Sequence, residues 1–473
     1  MGEKVPNRRL AALLKEAGLT NKSLAKRMRD ASTRDGGDPI SPTHTNVEKW
    51  LSGQTKRPQP RTCHVLTKVL AAQLGRPVSL DDVGYGEVAP EKADTTLEYP
   101  TTVSDSIVAL TQLTGYELRP SEQATKLIAV PEAWNSLLNR IMFGSSNGKG
   151  PRAVEPHPIS EVDVQAVRDA RVMFANFDYR YGGGRPKAML AQCLETLVLP
   201  QIPHVSPETA LGREYFREAA ALARLAGWTC YDTGQHAFAQ RYLIQAVRLA
   251  LAANDLPLAG RILAGMSHQA NFLGHYETAV YLARAAAHRA SGHATPTTMA
   301  LFHAMEARAL SSQRNEAEAT TAMLQAEKYL GQGNPENDPD WIRYFDQAEL
   351  HAEFAHCFRD LNKPELATHH AATSIQESES LYVRSLSFCR TVLATSYLQS
   401  NELEKAVETA REVVDVAAQL KSFRVVSYLD DFRKRLRTQP DGAIVSSFDD
   451  YVNTRIPRTP GGQSDRSQQG RPG

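Results

Sequence analysis

Cysteine is scarce in this sequence, with five in 473 residues. Cys63, Cys193, Cys230, Cys357 and Cys389 lie far apart and are odd in number. Neither a disulfide framework nor a zinc knuckle can be drawn from them. Long apolar runs are missing too, and none approaches the ~18 residues of a membrane span. The opening Met1-Gly2-Glu3-Lys4-Val5-Pro6 is polar and lacks the apolar centre of a secretion leader. These absences predict a reduced, cytoplasmic protein with no membrane partner. Strand-type patterning is weak while Ala and Leu dominate, so the expected fold class is all-α.

Catalytic signatures are also lacking. There is no Gly-x-Ser-x-Gly, no Gly-x4-Gly-Lys-Ser/Thr and no convincing carboxylate pair in a loop. Gly182-Gly183-Gly184 follows a helical stretch and no Lys-Ser/Thr comes next, so it reads as a helix stop. His351 and His356 are five apart and His369-His370 are adjacent. Neither spacing gives two ligands on one helical face. No metal, no cofactor and no enzymatic activity are expected.

What is present begins with Leu19 to Pro58. Leu24, Ala25 and Met28 share one face of a first helical pattern that Thr20 can cap. In the second, Thr43 is the expected cap, Val47, Trp50 and Leu51 form the i, i+3, i+4 stripe, and Gly53 ends it. His44, Thr45, Glu48 and Lys49 are left on the opposite face. Residues 1–80 hold 15 Lys+Arg and 6 Asp+Glu, a net of +9, so with a whole-chain charge of +1 the remainder carries −8. A basic end on an acidic body is the electrostatic footprint of a nucleic-acid-binding module.

The stretch resembles the helix-turn-helix of the phage-repressor-like (XRE) family. The resemblance rests on Gly18-Leu19-Thr20, Leu24-Ala25, Val47, Trp50-Leu51-Ser52-Gly53 and Lys56-Arg57-Pro58. It implies a second helix in the major groove of double-stranded DNA, with His44, Thr45 and Lys49 near base edges and Thr43 at the helix start. Thr20, Asn21, Lys56 and Arg57 match phosphate-contacting positions. One departure stands out: Arg29 to Pro42 intervene where the family has a tight turn. Paired half-sites, and so a homodimer, are the usual arrangement for such domains.

From residue 210 a pattern recurs. Its five copies begin at Gly227, Ser267, Ala307, Ala355 and Ala394, with turn positions seven residues on at Gly234, Gly274, Arg314, Asn362 and Asn401. Small residues follow at Ala239, Ala279, Ala319, Ala367 and Ala406. The steps between copies are 40, 40, 48 and 39 residues. The longest step coincides with Gly331 to Pro339, a loop insertion. Small residues let two helices pack closely, and one hairpin cannot bury its apolar face alone, so copies stack. The spacing is similar to tetratricopeptide repeats.

The layout predicts a helix-turn-helix domain at 1–86, a linker at 87–105, a helical middle region at 106–205, a tetratricopeptide-like α-solenoid at 206–436 and a disordered tail at 437–473. Together with the Phe177–Gly184 element, Phe-Asp-Tyr-Arg-Tyr-Gly-Gly-Gly, it resembles the actinobacterial NsdA-type regulators of differentiation and antibiotic production. That resemblance implies a DNA-binding regulator whose repeats sense a peptide, a small molecule or a protein partner and mediate dimerisation. The first helices of the repeats line the concave surface of such a solenoid. They bring Arg224, Trp228 and Tyr231, then His268, Asn271 and Phe272, then Arg308, His356 and Arg359. Arg can take a carboxylate, Asn an extended backbone and the rings apolar groups. The competing reading is a protein-interaction scaffold built on the repeats, with no specific DNA target.

Overall fold

The computed structural model describes residues 6–34, 40–55, 58–76, 78–80, 82–85, 96–119, 121–143 and 159–456. All the regular secondary structure among the described residues is helical, and they include no strand. They divide into two compact units, Met1–Thr95 and Thr96–Gly473.

The first unit has four helices, α1 (Arg8–Glu16), α2 (Asn21–Arg34), α3 (His44–Leu51) and α4 (Pro60–Leu74). Each contributes one apolar stripe to a single core, in which Leu10, Leu14, Leu24, Met28, Val47, Leu66 and Leu70 are buried. Helix α2 runs six residues past Met28, so it takes up part of the Arg29–Pro42 interval that the sequence left as a connection. The Arg29 guanidinium reaches back from α2 to the Pro42 carbonyl at 2.6 Å, just before α3 begins. Asn7 donates its backbone N–H to the Leu51 carbonyl (2.9 Å) and its side-chain amide to that of Val83 (3.0 Å), tying the end of α3 to the edge of the unit.

The second unit opens with α5 (Val103–Leu118), α6 (Glu122–Thr125), α7 (Pro131–Phe143), α8 (Glu161–Tyr181) and α9 (Lys187–Cys193). Five antiparallel hairpins follow: α10 (Ala210–Asp232) with α11 (His236–Ala252), α12 (Leu256–Phe272) with α13 (Tyr276–Ala290), α14 (Pro296–Ser312) with α15 (Glu316–Leu330), α16 (Gln347–Asp360) with α17 (Pro364–Glu377), and α18 (Val383–Gln399) with α19 (Leu403–Ala417). Helices α20 (Phe423–Leu436) and α21 (Gly442–Arg455) complete it.

The hairpins stack as the periodicity requires, first helix on first helix, in the manner of an α-solenoid. All five turn positions have positive φ: Gly234 (79°), Gly274 (85°), Arg314 (62°), Asn362 (59°) and Asn401 (60°). That conformation suits Gly best and Asn next, which is why those residues mark the period. Within a hairpin the small residues set the spacing. A Cβ on Gly227 would lie 2.9 Å from the Leu243 side chain, and Ser267 donates to the Ala279 carbonyl at 2.7 Å.

Two boundaries differ from the sequence reading. The expected linker does not extend to residue 105, because Gln245 donates to the carbonyls of Thr96 (2.9 Å) and Glu98 (3.2 Å) and α5 then lies on α11. Nor is the chain from 437 to 456 a disordered tail. Helix α21 forms there and buries Phe448 and Val452 against α19 and α20.

The end of α8 also meets the far end of the stack. Arg384 of α18 clamps Asp178 with two bonds of 2.6 and 2.8 Å, and Lys421 exchanges backbone bonds with Gly184 (2.9 Å) and Tyr181 (3.2 Å). Asp232, at the end of α10, accepts from Gly183 N–H and from Ser422, each at 2.9 Å. The three glycines permit this crossing. Gly182 has φ 79°, and a Cβ on Gly183 or Gly184 would sit 2.9 or 2.8 Å from Thr229 or Lys421. The superhelix is thereby closed on itself.

Candidate functional sites

In the first unit the candidate surface is α3. Thr43 and Asn46 form a reciprocal cap: the Asn46 N–H donates to the Thr43 hydroxyl at 3.3 Å and the Thr43 N–H to the Asn46 side chain at 2.9 Å. Val47 and Trp50 are buried, while His44, Thr45, Glu48 and Lys49 are exposed. Thr43 is therefore occupied with its own helix start. Thr20 is similarly engaged with Ser23 at the start of α2, where their hydroxyls and backbone N–H groups bond at 2.8–3.2 Å. Asn21 is half-buried beside it. Lys56 and Arg57 lie outside the described residues.

In the second unit all nine expected groove residues lie on the first helices of their hairpins, and the inner face does gather them. It is not an open trough, however. Helix α20 buries Val425, Leu429 and Phe432 on one side and sends Arg424 and Tyr428 across the inner face. Arg424 lies over Tyr231, Phe388 and Trp228 at 4.6, 4.6 and 5.3 Å from their ring centres. Tyr428 stacks on Phe272 (6.5 Å) and meets His356 edge-on (5.5 Å), and Arg359 lies over its ring at 5.7 Å.

Two chambers remain. One has a volume of about 120 Å³ and is walled by Asp178, Tyr179, Arg224, Trp228, Arg261 and Glu349, among others. The other, about 320 Å³, takes Asn271, Phe272, Arg359 and Tyr428, and His268 and Arg308 border both. Tyr231 lies behind the walls, fully buried, with its hydroxyl 2.8 Å from His268 Nδ1.

Charge in the first chamber is unevenly matched. Arg384 is held by Asp178 and also lies 3.3 Å from Asp232; burial works against its charge, yet the two carboxylates outweigh burial and hold its pKa above the ordinary range. Arg308 is bound by Glu353 at 2.5 Å. Glu349 has its pKa raised to about 8, by burial first and then by Glu353 and Asp346, which favours its protonated form. His268 and His356 are pushed well below the ordinary range by burial and neighbouring arginines and are neutral. Arg261 donates to the Tyr344 hydroxyl at 2.9 Å and lies over the Tyr344 and Trp341 rings, but meets no carboxylate among the described residues. Arg224 has neither hydrogen bond nor ion pair among them. Burial first, and then Arg261, lower its pKa to about 9.

Sequence reasoning missed the lining contributed by Arg261, Tyr344, Glu349, Arg384 and Arg424. Its one available signal was the Phe177–Gly184 element, whose Asp178 and Tyr179 face the chamber. No group of three or more His, Cys, Asp or Glu among the described residues is placed to hold a metal ion, and no described helix is long and apolar enough to cross a membrane.

Among known proteins, a family model described as SP15 N-terminal domain matches residues 10–86, a range that falls within the first unit. No curated protein and no solved structure shows a significant match to the chain.

Proposed function

We propose that the chain is a sequence-specific DNA-binding transcriptional regulator, acting as a dimer, whose tetratricopeptide-like repeat domain is its sensing half. The observation that carries the reading is α3, a capped helix with Val47 and Trp50 buried beneath it and His44, Thr45, Glu48 and Lys49 exposed on the other side. It belongs to a stretch, residues 1–80, of net charge +9 in a chain of +1. A short helix of this kind, read as the recognition helix of a repressor-like domain, presents its first exposed residues to base edges. Basic residues around it would supply the sequence-independent attraction to phosphate. The scaffold reading has less in its favour, because α20 covers the inner face that a scaffold would offer.

The test is selection of the purified chain against random duplex DNA near physiological salt, followed by sequencing. An enriched palindrome with half-sites about one helical turn apart is expected. On that site, Lys49→Ala and His44→Ala should each cost about 1–3 kcal/mol and relax specificity, whereas Lys56→Ala should weaken binding on all sequences alike. No enrichment at any salt, or three variants that bind like the parent, would overturn the reading.

A further inference from the structure

The smaller chamber has the construction of an anion site. Five arginines reach it, Arg224, Arg261, Arg308, Arg384 and Arg424, against three carboxyl groups, Asp178, Glu349 and Glu353. Two of those carboxyl groups are committed to Arg384 and Arg308, and burial favours the protonated form of the third, Glu349, which pairs with no cation among the described residues. Arg424 has a distant carboxylate in Asp232 at 3.8 Å. That leaves Arg224 and Arg261, two guanidinium groups that oppose each other's charge and form no ion pair among the described residues; Asp178, which eases the Arg224 charge, is already held by Arg384. Arg261 is buried, and its Nε has no hydrogen-bond partner. Arg224 beside it is half-buried. Keeping a guanidinium such as that of Arg261 out of water is costly, and proteins ordinarily pair it. An arrangement that destabilises the empty fold is what a preorganised binding site looks like before its ligand arrives.

The rest of the lining limits the ligand. Tyr179, Trp228, Met305, Tyr344 and Phe388 offer apolar and aromatic surface. The chamber holds about 120 Å³. Cavities of this order, roughly 150 Å³, accommodate a benzene molecule, so the apolar body of the occupant is no larger than one small ring or a short chain. An extended peptide is too large for it.

We propose that this chamber binds a compact organic anion, its carboxylate or phosphate held by Arg224 and Arg261 and its apolar body set among Tyr179, Trp228 and Phe388. The site names a ligand class for the sensing half of the regulator and so rests on that reading of the repeat domain. Its test involves no DNA, so a failure here and a failure of DNA binding are told apart.

The experiment is calorimetric titration of the full-length protein at neutral pH with benzoate, phenyl phosphate and the neutral benzamide. At least one of the two anions should bind at one per chain and at least tenfold more tightly than benzamide, and which of them does so identifies the head group. Arg224→Gln should abolish that preference. If neither anion binds better than benzamide, or Arg224→Gln binds the anions like the parent, the proposal is wrong.

Discussion

Arg384→Met tests how the superhelix is closed. The substitution keeps much of the apolar stem and removes the guanidinium that Asp178 receives through two bonds and Asp232 meets at 3.3 Å. Asp178 and Asp232 are 1% and 0% exposed, so neither can turn to water. Removing one partner of a buried ion pair typically costs about 3–5 kcal/mol, because a charge is stranded in a poorly polarisable interior. Asp232 retains the Gly183 N–H and the Ser422 hydroxyl. Asp178 has no comparable reserve, since its remaining charged neighbours are Asp232, which repels it, and Arg224. Burial already raises the Asp178 pKa, and loss of Arg384 raises it further. A carboxyl whose folded pKa lies above its unfolded value binds more protons when folded, so its penalty is absent in acid and grows as pH rises through that range. The variant should therefore lose about 3–5 kcal/mol near pH 8 and distinctly less near pH 5. Thermal and denaturant unfolding followed by helical circular dichroism measures both. A cost below about 1 kcal/mol, or an equal cost at the two pH values, would refute the claim that this ion pair latches the ring.

Other expectations follow from single contacts. Gly183→Ala should cost about 1–3 kcal/mol by the same measurement, since its Cβ would approach Thr229 Cα to 2.9 Å and Asp232 Cβ to 3.0 Å. Thr43→Ala should destabilise the first unit by about 1 kcal/mol through loss of the α3 cap, seen as earlier melting of that unit. The His370 pKa is lowered to about 4, by burial first and then by His351, whose Nδ1 lies 2.7 Å away, and His369. A histidine held neutral in the fold contributes stability above its unfolded pKa of ~6.5 that is lost as pH falls toward 4. With the ring only partly buried the loss should be about 1–2 kcal/mol, and His370→Phe should flatten this part of the acid unfolding profile.

The hairpins were legible because their turns demand positive φ, and Gly234, Gly274, Asn362 and Asn401 advertise that demand at a fixed spacing. Arg314 takes the same conformation without being a favoured residue, and only the register of its neighbours points to it. The capped helix α3 of the first unit could be read for a similar reason, since Thr43, Val47, Trp50 and Gly53 each do something local. The closure could not be read. Asp178 and Arg384 are 206 residues apart and obey no period. Arg424 and Tyr428 lie beyond the last repeat on a helix whose polar face resembles an ordinary solvated one. Helix α21 was missed because its buried face amounts to little more than Phe448 and Val452. Thr96 to Thr101 read as linker because its anchors, Gln245 and Arg241, lie some 145 residues away and Leu97 and Tyr99 are too few to show a period.

An open stack of hairpins has no natural length. Each unit needs only its neighbours, so units can be gained or lost at little cost to those that stay. The contact between Tyr181–Gly184 and Lys421–Ser422 removes that freedom here. A clasp meets its catch at only one circumference, so inserting or deleting one hairpin would carry Lys421 away from the glycines and open the chamber. Five is then a fixed count for this protein. Changes in length should be tolerated only in segments outside the circuit.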